Sequence, residues 1–106
     1  MRGDIYRLRG SKTAKGYEQK GTRYAVVLQS DYLPLSTALV APTSTSCAPA
    51  SFRPTIEING IPTRVMVEQT AAVDVETRLA ERVGHLTHTQ MQELRRAVLA
   101  VFGIDE

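Results

Sequence analysis

Only the last stretch of this chain carries helical periodicity, and that decides most of what the chain can fold into. Met91, Leu94, Val98 and Val101 or Phe102 recur at spacings of three and four, one apolar face of a helix, with Gln92, Glu93, Arg95 and Arg96 pointing outward. Thr87 followed by Gln90 has the form of a capping box, and Gly103 supplies the stop. Everything before it reads as short apolar runs divided by turn residues. The expected strands are Asp4–Leu8, residues 23–29, residues 37–41, Thr55–Ile58, residues 63–67, residues 70–75 and residues 82–86. The third is expected to stop at Pro42, which cannot donate to a central ladder. Asn59-Gly60, followed by Ile61-Pro62, is a hairpin signal, and residues 76–81 read as a helical turn. Short strands in this number with one terminal helix point to a small, strongly bent sheet or barrel, mainly β in an α+β fold.

With 106 residues the chain is expected to be one domain, residues 1–106, whose small core a dimer interface would supplement. No apolar run approaches the ~20 residues of a membrane span, so no membrane association is expected. The opening MRGDIYRLRG lacks the apolar centre of a signal peptide. The single cysteine, Cys47, cannot form an internal disulfide, and a reducing cytoplasm is the expected compartment.

The net charge of +2 is unevenly spread: residues 1–23 carry +5 and the remainder −3. Within the basic part, residues 9–22 read as a long loop, with Gly10, Gly16 and Gly21 separating Lys12, Lys15 and Lys20. A loop of that length in a compact domain is commonly functional, and its charge suits an anionic partner, nucleic acid first. A second loop, residues 43–54, is polar and proline-bearing, with four hydroxyls at Thr43, Ser44, Thr45 and Ser46.

Residues 16–29 join loop to strand: Glu18 and Arg23 lie on the loop side, and Ala25, Val26, Val27 and Leu28 form a buried apolar run. A rigid strand feeding a charged loop holds ionisable groups at a fixed place on a surface. Other chemistries find little support. His85 and His88 straddle a strand end and a helix start, and there is neither Cys-x-x-Cys nor His-Glu-x-x-His, so no metal is expected. Cys47 has no arguable histidine neighbour, no phosphate-binding glycine motif calls for a nucleotide, and no cofactor is expected. Arginine grips phosphate through a planar fork, a hydroxyl donates to a phosphoryl oxygen, and a carboxylate orients or deprotonates a sugar hydroxyl. Such a set suits RNA transesterification, because RNA supplies its own nucleophile, the 2′-OH.

These residues resemble the MazF/PemK (Kid) toxins of bacterial toxin–antitoxin systems. Arg2-Gly3-Asp4-Ile5-Tyr6 looks like the family's opening strand. The stretch from Gly16 to Leu28, GYEQKGTRYAVVL, is similar to the family's G-x-E-Q-x-G-x-R-P-A-V-V-L. Val40-Ala41-Pro42-Thr43-Ser44 looks like the strand end that supplies the family's catalytic threonine, and Val83-Gly84-His85-Leu86 leads into the terminal helix as in family members. Glu68-Gln69-Thr70-Ala71-Ala72-Val73 matches its motif less closely, with glutamate for the usual aspartate and Ala71 for a basic residue. Tyr24 replaces the proline that usually follows the arginine, and offers either a ring for base stacking or a buried strand tyrosine.

The resemblance implies a small SH3-like barrel of the CcdB/MazF kind with a C-terminal helix, a homodimer, and a metal-independent, sequence-specific endoribonuclease. It implies catalysis by Arg23, Thr43 and Glu18, and RNA binding by Lys12, Lys15, Tyr17, Gln19, Lys20, Tyr24, Ser44 and Arg53. The implied partners are single-stranded RNA and the disordered C-terminal segment of a cognate antitoxin. Two other functions remain open at this point: a toxin of the same fold that binds DNA gyrase without catalysis, and an SH3-like interaction module. Arg23 and Thr43 favour the nuclease, and the C-terminal Val101–Glu106 stretch, with no tryptophan, does not favour gyrase binding.

Overall fold

The structure, a computed structural model, describes residues 1–10 and 23–104. Its elements are β1 (Asp4–Leu8), β2 (Arg23–Val27), β3 (Thr37–Ser44), β4 (Thr55–Ile58), β5 (Ile61–Val65), a 3-10 turn (Val67–Gln69), β6 (Ala71–Asp74), a one-turn helix α1 (Val75–Arg78), β7 (Leu79–His85) and α2 (His88–Phe102). The strands form one curled antiparallel sheet in the order β4-β5-β3-β2-β1-β7, with β6 also pairing β3. The expected mainly β, strongly bent sheet with a terminal helix is what the chain builds, curled into a half-barrel.

The β4–β5 hairpin turns tightly on Asn59 and Gly60, both at positive φ (53° and 78°), so Ile61 and Pro62 belong to β5 rather than to the turn. A two-residue turn of this kind matches the twist of the strands it joins.

β3 does not stop at Pro42; it continues to Ser44. The reason is where the proline nitrogen points. The Leu39 carbonyl accepts from Leu28 on the β2 side, whereas the Pro42 carbonyl accepts from the Met66 amide at 2.8 Å on the other side. The missing N–H of Pro42 therefore faces the gap where β6, paired through Val40, gives way to β5, paired from Thr43. No ladder bond to β2 is lost, and one strand serves two neighbours in succession. Thr43 and Ser44 thus stand in a strand rather than in the loop expected of them.

Strand alternation splits the core in two. Ile5, Val26, Leu28, Ala41, Ile56, Ile58, Val65 and Val67 fill the concave side, which α2 closes with Leu94 and Ala97. Ala25, Val27, Ala38, Val40 and Leu79 form a smaller cluster on the other face. The capping box at the start of α2 is present in both directions, Gln90 amide to Thr87 hydroxyl and Thr87 amide to Gln90 side chain. Met91 and Val98 pack on the core as the periodicity predicts, but Val101 and Phe102 stay exposed, Phe102 at 54%. The last turn of α2 overhangs the sheet, and its apolar stripe ends at Val98.

Gly3 fixes how closely α2 lies to β1. Its φ is +85°, and a Cβ there would fall 2.6 Å from the Met91 sulfur. Next to it, the buried Asp4 carboxylate takes the His85 Nδ1 at 2.7 Å and Arg82 at 3.4 Å, tying β1 to β7. Burial alone would push the Asp4 carboxyl up; the His85 hydrogen bond, the amino terminus and Arg82 outweigh it and hold it below its ordinary value. Among the described residues no helix is long and apolar enough to cross a membrane.

Candidate functional site

The site candidates gather at the end of the sheet where β2 begins and β3 ends. Arg23 is the first residue of β2 and is exposed. It pairs with Leu8 of β1 on one side. Ala25 pairs with Pro42 of β3 on the other, and one step further along the register come Tyr24 and Thr43. The Thr43 hydroxyl donates to the Tyr24 carbonyl at 2.9 Å. Thr43 is thus locked against the backbone that presents Arg23. The two side chains do not meet directly: alternation gives Arg23 the face of Ala25 and Val27, and Thr43 the face of Ala41.

Most arginines here are committed. Arg2 holds the Leu28 carbonyl, Arg7 holds Glu81, Arg9 holds the carbonyls of Glu76 and Leu79, and Arg78 holds the Arg9 carbonyl. Arg23 has no hydrogen-bond or ion-pair partner among the described residues. A strand-anchored guanidinium with no anion beside it among the described residues is suited to a phosphate.

Residues 45–53 form an irregular loop beside Thr43. The Ser44 hydroxyl oxygen accepts from the amides of Ser46 (3.1 Å) and Cys47 (3.0 Å), a local turn that starts the loop. Arg53 closes it. Its guanidinium donates to Glu68 Oε2 through Nε and Nη2 at 2.9 and 2.6 Å, donates to the Ala48 carbonyl at 2.8 Å, and lies 5.5 Å from the Phe52 ring centroid. The Arg53 hydrogen bond holds the Glu68 carboxyl below its ordinary value. Arg64 adds a third tie, donating to the Cys47 carbonyl at 3.0 Å. Tyr24 is half-buried; its ring packs on the concave core and its hydroxyl accepts from Asn59 at 3.3 Å.

The structure therefore places the backbones of Arg23, Tyr24, Thr43 and Ser44 at one end of the sheet, with the Arg23 and Thr43 side chains on opposite faces and Arg53 at the far end of the adjoining loop. Glu18, Lys12, Lys15, Tyr17, Gln19 and Lys20 lie outside the described residues. Glu68 and Arg64 are the residues that sequence reasoning missed as parts of the site. Their contacts cross 15 and 17 positions that include the β4–β5 hairpin, and no periodicity signals such a pair. Among the described residues, no three His, Cys, Asp or Glu side chains group to hold a metal ion.

Comparison with known proteins bears on the family and the fold. A family model described as PemK-like, MazF-like toxin of type II toxin-antitoxin system matches residues 1–102. The candidate toxin Rv3098A of Mycobacterium tuberculosis is 38% identical over 104 residues, covering 98% of both chains. Among solved structures, the Mycobacterium tuberculosis toxin MazF-mt6 superposes with a TM-score of 0.78 at 20% identity, over 97% of this chain and 99% of that one. An endoribonuclease in complex with its cognate antitoxin, from a mycobacterial species, gives 0.80 at 14% identity over 100% and 97%. MazE-MazF from Deinococcus radiodurans gives 0.79 at 21% identity over 98% and 96%. At these identities the structural matches speak for the fold.

Proposed function

This chain belongs to the PemK-like, MazF-like toxins of type II toxin-antitoxin systems, and on that premise we propose that it is a sequence-specific, metal-independent endoribonuclease cutting single-stranded RNA. The observation that carries this reading is the Arg23 guanidinium, exposed and without a partner among the described residues, on the strand whose backbone holds the Thr43 hydroxyl.

The reaction needs few parts. The 2′-oxygen attacks the adjacent phosphorus, its proton passing to a base, while the bond from phosphorus to the 5′-oxygen breaks and that oxygen takes up a proton. Arg23 meets the charge that builds on the phosphoryl oxygens. Thr43 donates to one of them. Its single hydroxyl proton points at the Tyr24 carbonyl in the free protein, so donation to phosphate requires the hydroxyl to turn away. Glu18 orients or deprotonates the 2′-OH. Lys12, Lys15 and Lys20 attract the backbone, while Tyr17 and Gln19 meet bases; Tyr24, packed on the core, supports binding by holding the Thr43 hydroxyl through its carbonyl, and Ser44 and Arg53 serve binding by shaping the loop.

The test is a single-stranded RNA incubated with the protein in excess EDTA. Cleavage leaving a 2′,3′-cyclic phosphate and a 5′-hydroxyl is expected, and a deoxyribose at the scissile position should abolish it. Activity that disappears with EDTA and returns with magnesium would overturn the mechanism.

The protein is proposed to act in the cytoplasm as a homodimer, neutralised by an acidic antitoxin segment that competes with RNA phosphate. Tyr32, Leu33, Leu35, Leu39, Phe102 and Ile104 are exposed, which is more large apolar surface than a chain this short leaves uncovered at no cost. Light scattering at micromolar concentration should give twice the mass of one chain; the mass of a single chain would rule the dimer out.

A further inference from the structure

Resting on the nuclease reading above, we infer that Glu68 is a positioning residue for RNA selection: through Arg53 it holds the loop of residues 45–53 in one shape beside Thr43. The argument starts from what anchors Glu68. It sits in the 3-10 turn Val67–Gln69, whose Val67 is fully buried and whose Gln69 amide returns to the Met66 carbonyl at 3.0 Å. That turn packs between β3 and α2, so the carboxylate projects from a rigid base. One Glu68 oxygen takes two N–H groups of Arg53, and the third arm of the same guanidinium reaches back across the loop to Ala48. Both partners of the pair are largely covered, with side chains 20% and 25% exposed.

Phe52 packs on the main core, and among the described residues the hydrogen bonds of the far half of the loop run through Arg53. The Ser44 hydroxyl orders Ser46 and Cys47, and Arg64 holds Cys47; beyond Cys47 the hydrogen bonds among the described residues are those of the Arg53 side chain and one turn bond, Arg53 amide to Ala50 carbonyl. Ordering a loop residue costs backbone entropy. A loop already held in the free protein does not incur that cost on binding RNA, and a single fixed shape discriminates among base sequences better than an adaptable one.

Simple electrostatics predicts the opposite sign. Glu68 is a negative charge beside an RNA surface, and deleting it should strengthen binding and steepen the salt dependence. The two accounts therefore separate in one variant. The full-length protein and its Glu68→Ala variant are given a pool of random single-stranded RNA oligonucleotides, and the cleaved sites are sequenced. Glu68→Ala should cut with selectivity reduced about tenfold and with a raised KM on the preferred site, while its saturated rate there falls less than about threefold. Glu68→Gln, which keeps one acceptor for Arg53, should be intermediate.

Amide hydrogen exchange without RNA provides the independent readout. The Arg53 amide, hydrogen-bonded to the Ala50 carbonyl, should exchange about tenfold faster in Glu68→Ala, with melting changed little. Unchanged exchange, tighter RNA binding with selectivity intact, or a loss confined to the saturated rate would each overturn the inference. A wild-type protein that cuts no RNA would instead bring down the nuclease reading, and the exchange data would then still decide whether Glu68 holds the loop.

Discussion

Replacing Arg23 by alanine is expected to lower the single-turnover cleavage rate at saturating enzyme by about 10²-fold or more, with a much smaller change in RNA affinity. The expectation follows from where the guanidinium stands. It is anchored at the first residue of β2, between β1 and the end of β3, and no neighbour among the described residues neutralises it. Charge on the phosphoryl oxygens is greatest as the 2′-oxygen bonds to phosphorus, so a fixed cation stabilises that state more than the bound substrate. Thr43→Ala should act in the same direction but more mildly, because the hydroxyl already has a partner in the Tyr24 carbonyl. If Arg23→Ala cuts at the wild-type saturated rate and differs only in affinity, Arg23 is a docking residue and catalysis lies elsewhere. The lysines of the preceding segment should behave in the other way, each weakening binding about equally for all sequences and flattening the salt dependence.

The largest effect on stability is expected at Leu94. Its side chain is fully buried, and it is the residue by which α2 fills the concave side of the sheet. Leu94→Ala removes buried surface and leaves a cavity that β-strands on the far side cannot collapse into, at a cost of about 3 kcal/mol. In a domain of this size that corresponds to a melting point lower by about 12–24 °C, measurable by calorimetry or circular dichroism. Phe102→Ala, on the same helix but exposed in the single chain, should shift it by a small fraction of that unless a second copy covers the ring. A Leu94→Ala protein that melts with the wild type would mean that α2 contributes little to the core.

The helix was legible because two independent signals coincide in it, a reciprocal cap at Thr87 and Gln90 and a stripe through Met91, Leu94 and Val98. Its overhang was not: Val101 and Phe102 keep the period, and only the sheet's extent decides that they have nothing to pack on. Pro42 misled for a related reason. The rule that proline ends a central strand presumes a neighbour requiring its N–H, and here the neighbours change at that residue. The start of β7 at Leu79, three residues before the alternation suggests it, depends on pairing with Leu8. At the site, Arg23 and Thr43 could be named from residue chemistry and family likeness, and the backbone link between them is geometric. The ties from Glu68 and Arg64 to the loop join positions with no shared local pattern, so only the folded chain brings them to view.

Beyond Arg23 and Tyr24, β2 presents no free face. Ala25, Val26 and Val27 are all fully buried, alternately in the larger and the smaller cluster, with β1 and β3 along both edges. Such a segment has little tolerance for drift, because a residue enlarged on either side displaces the strand that carries Arg23. Viewed as a genetic target, the chain therefore has two kinds of vulnerable position. In cells selected to survive expression of the toxin, inactivating alleles should fall on Ala25, Val26 and Val27 as readily as on Arg23, although the first three reach no substrate. The allele map would trace the buried strand along with the chemistry at its tip.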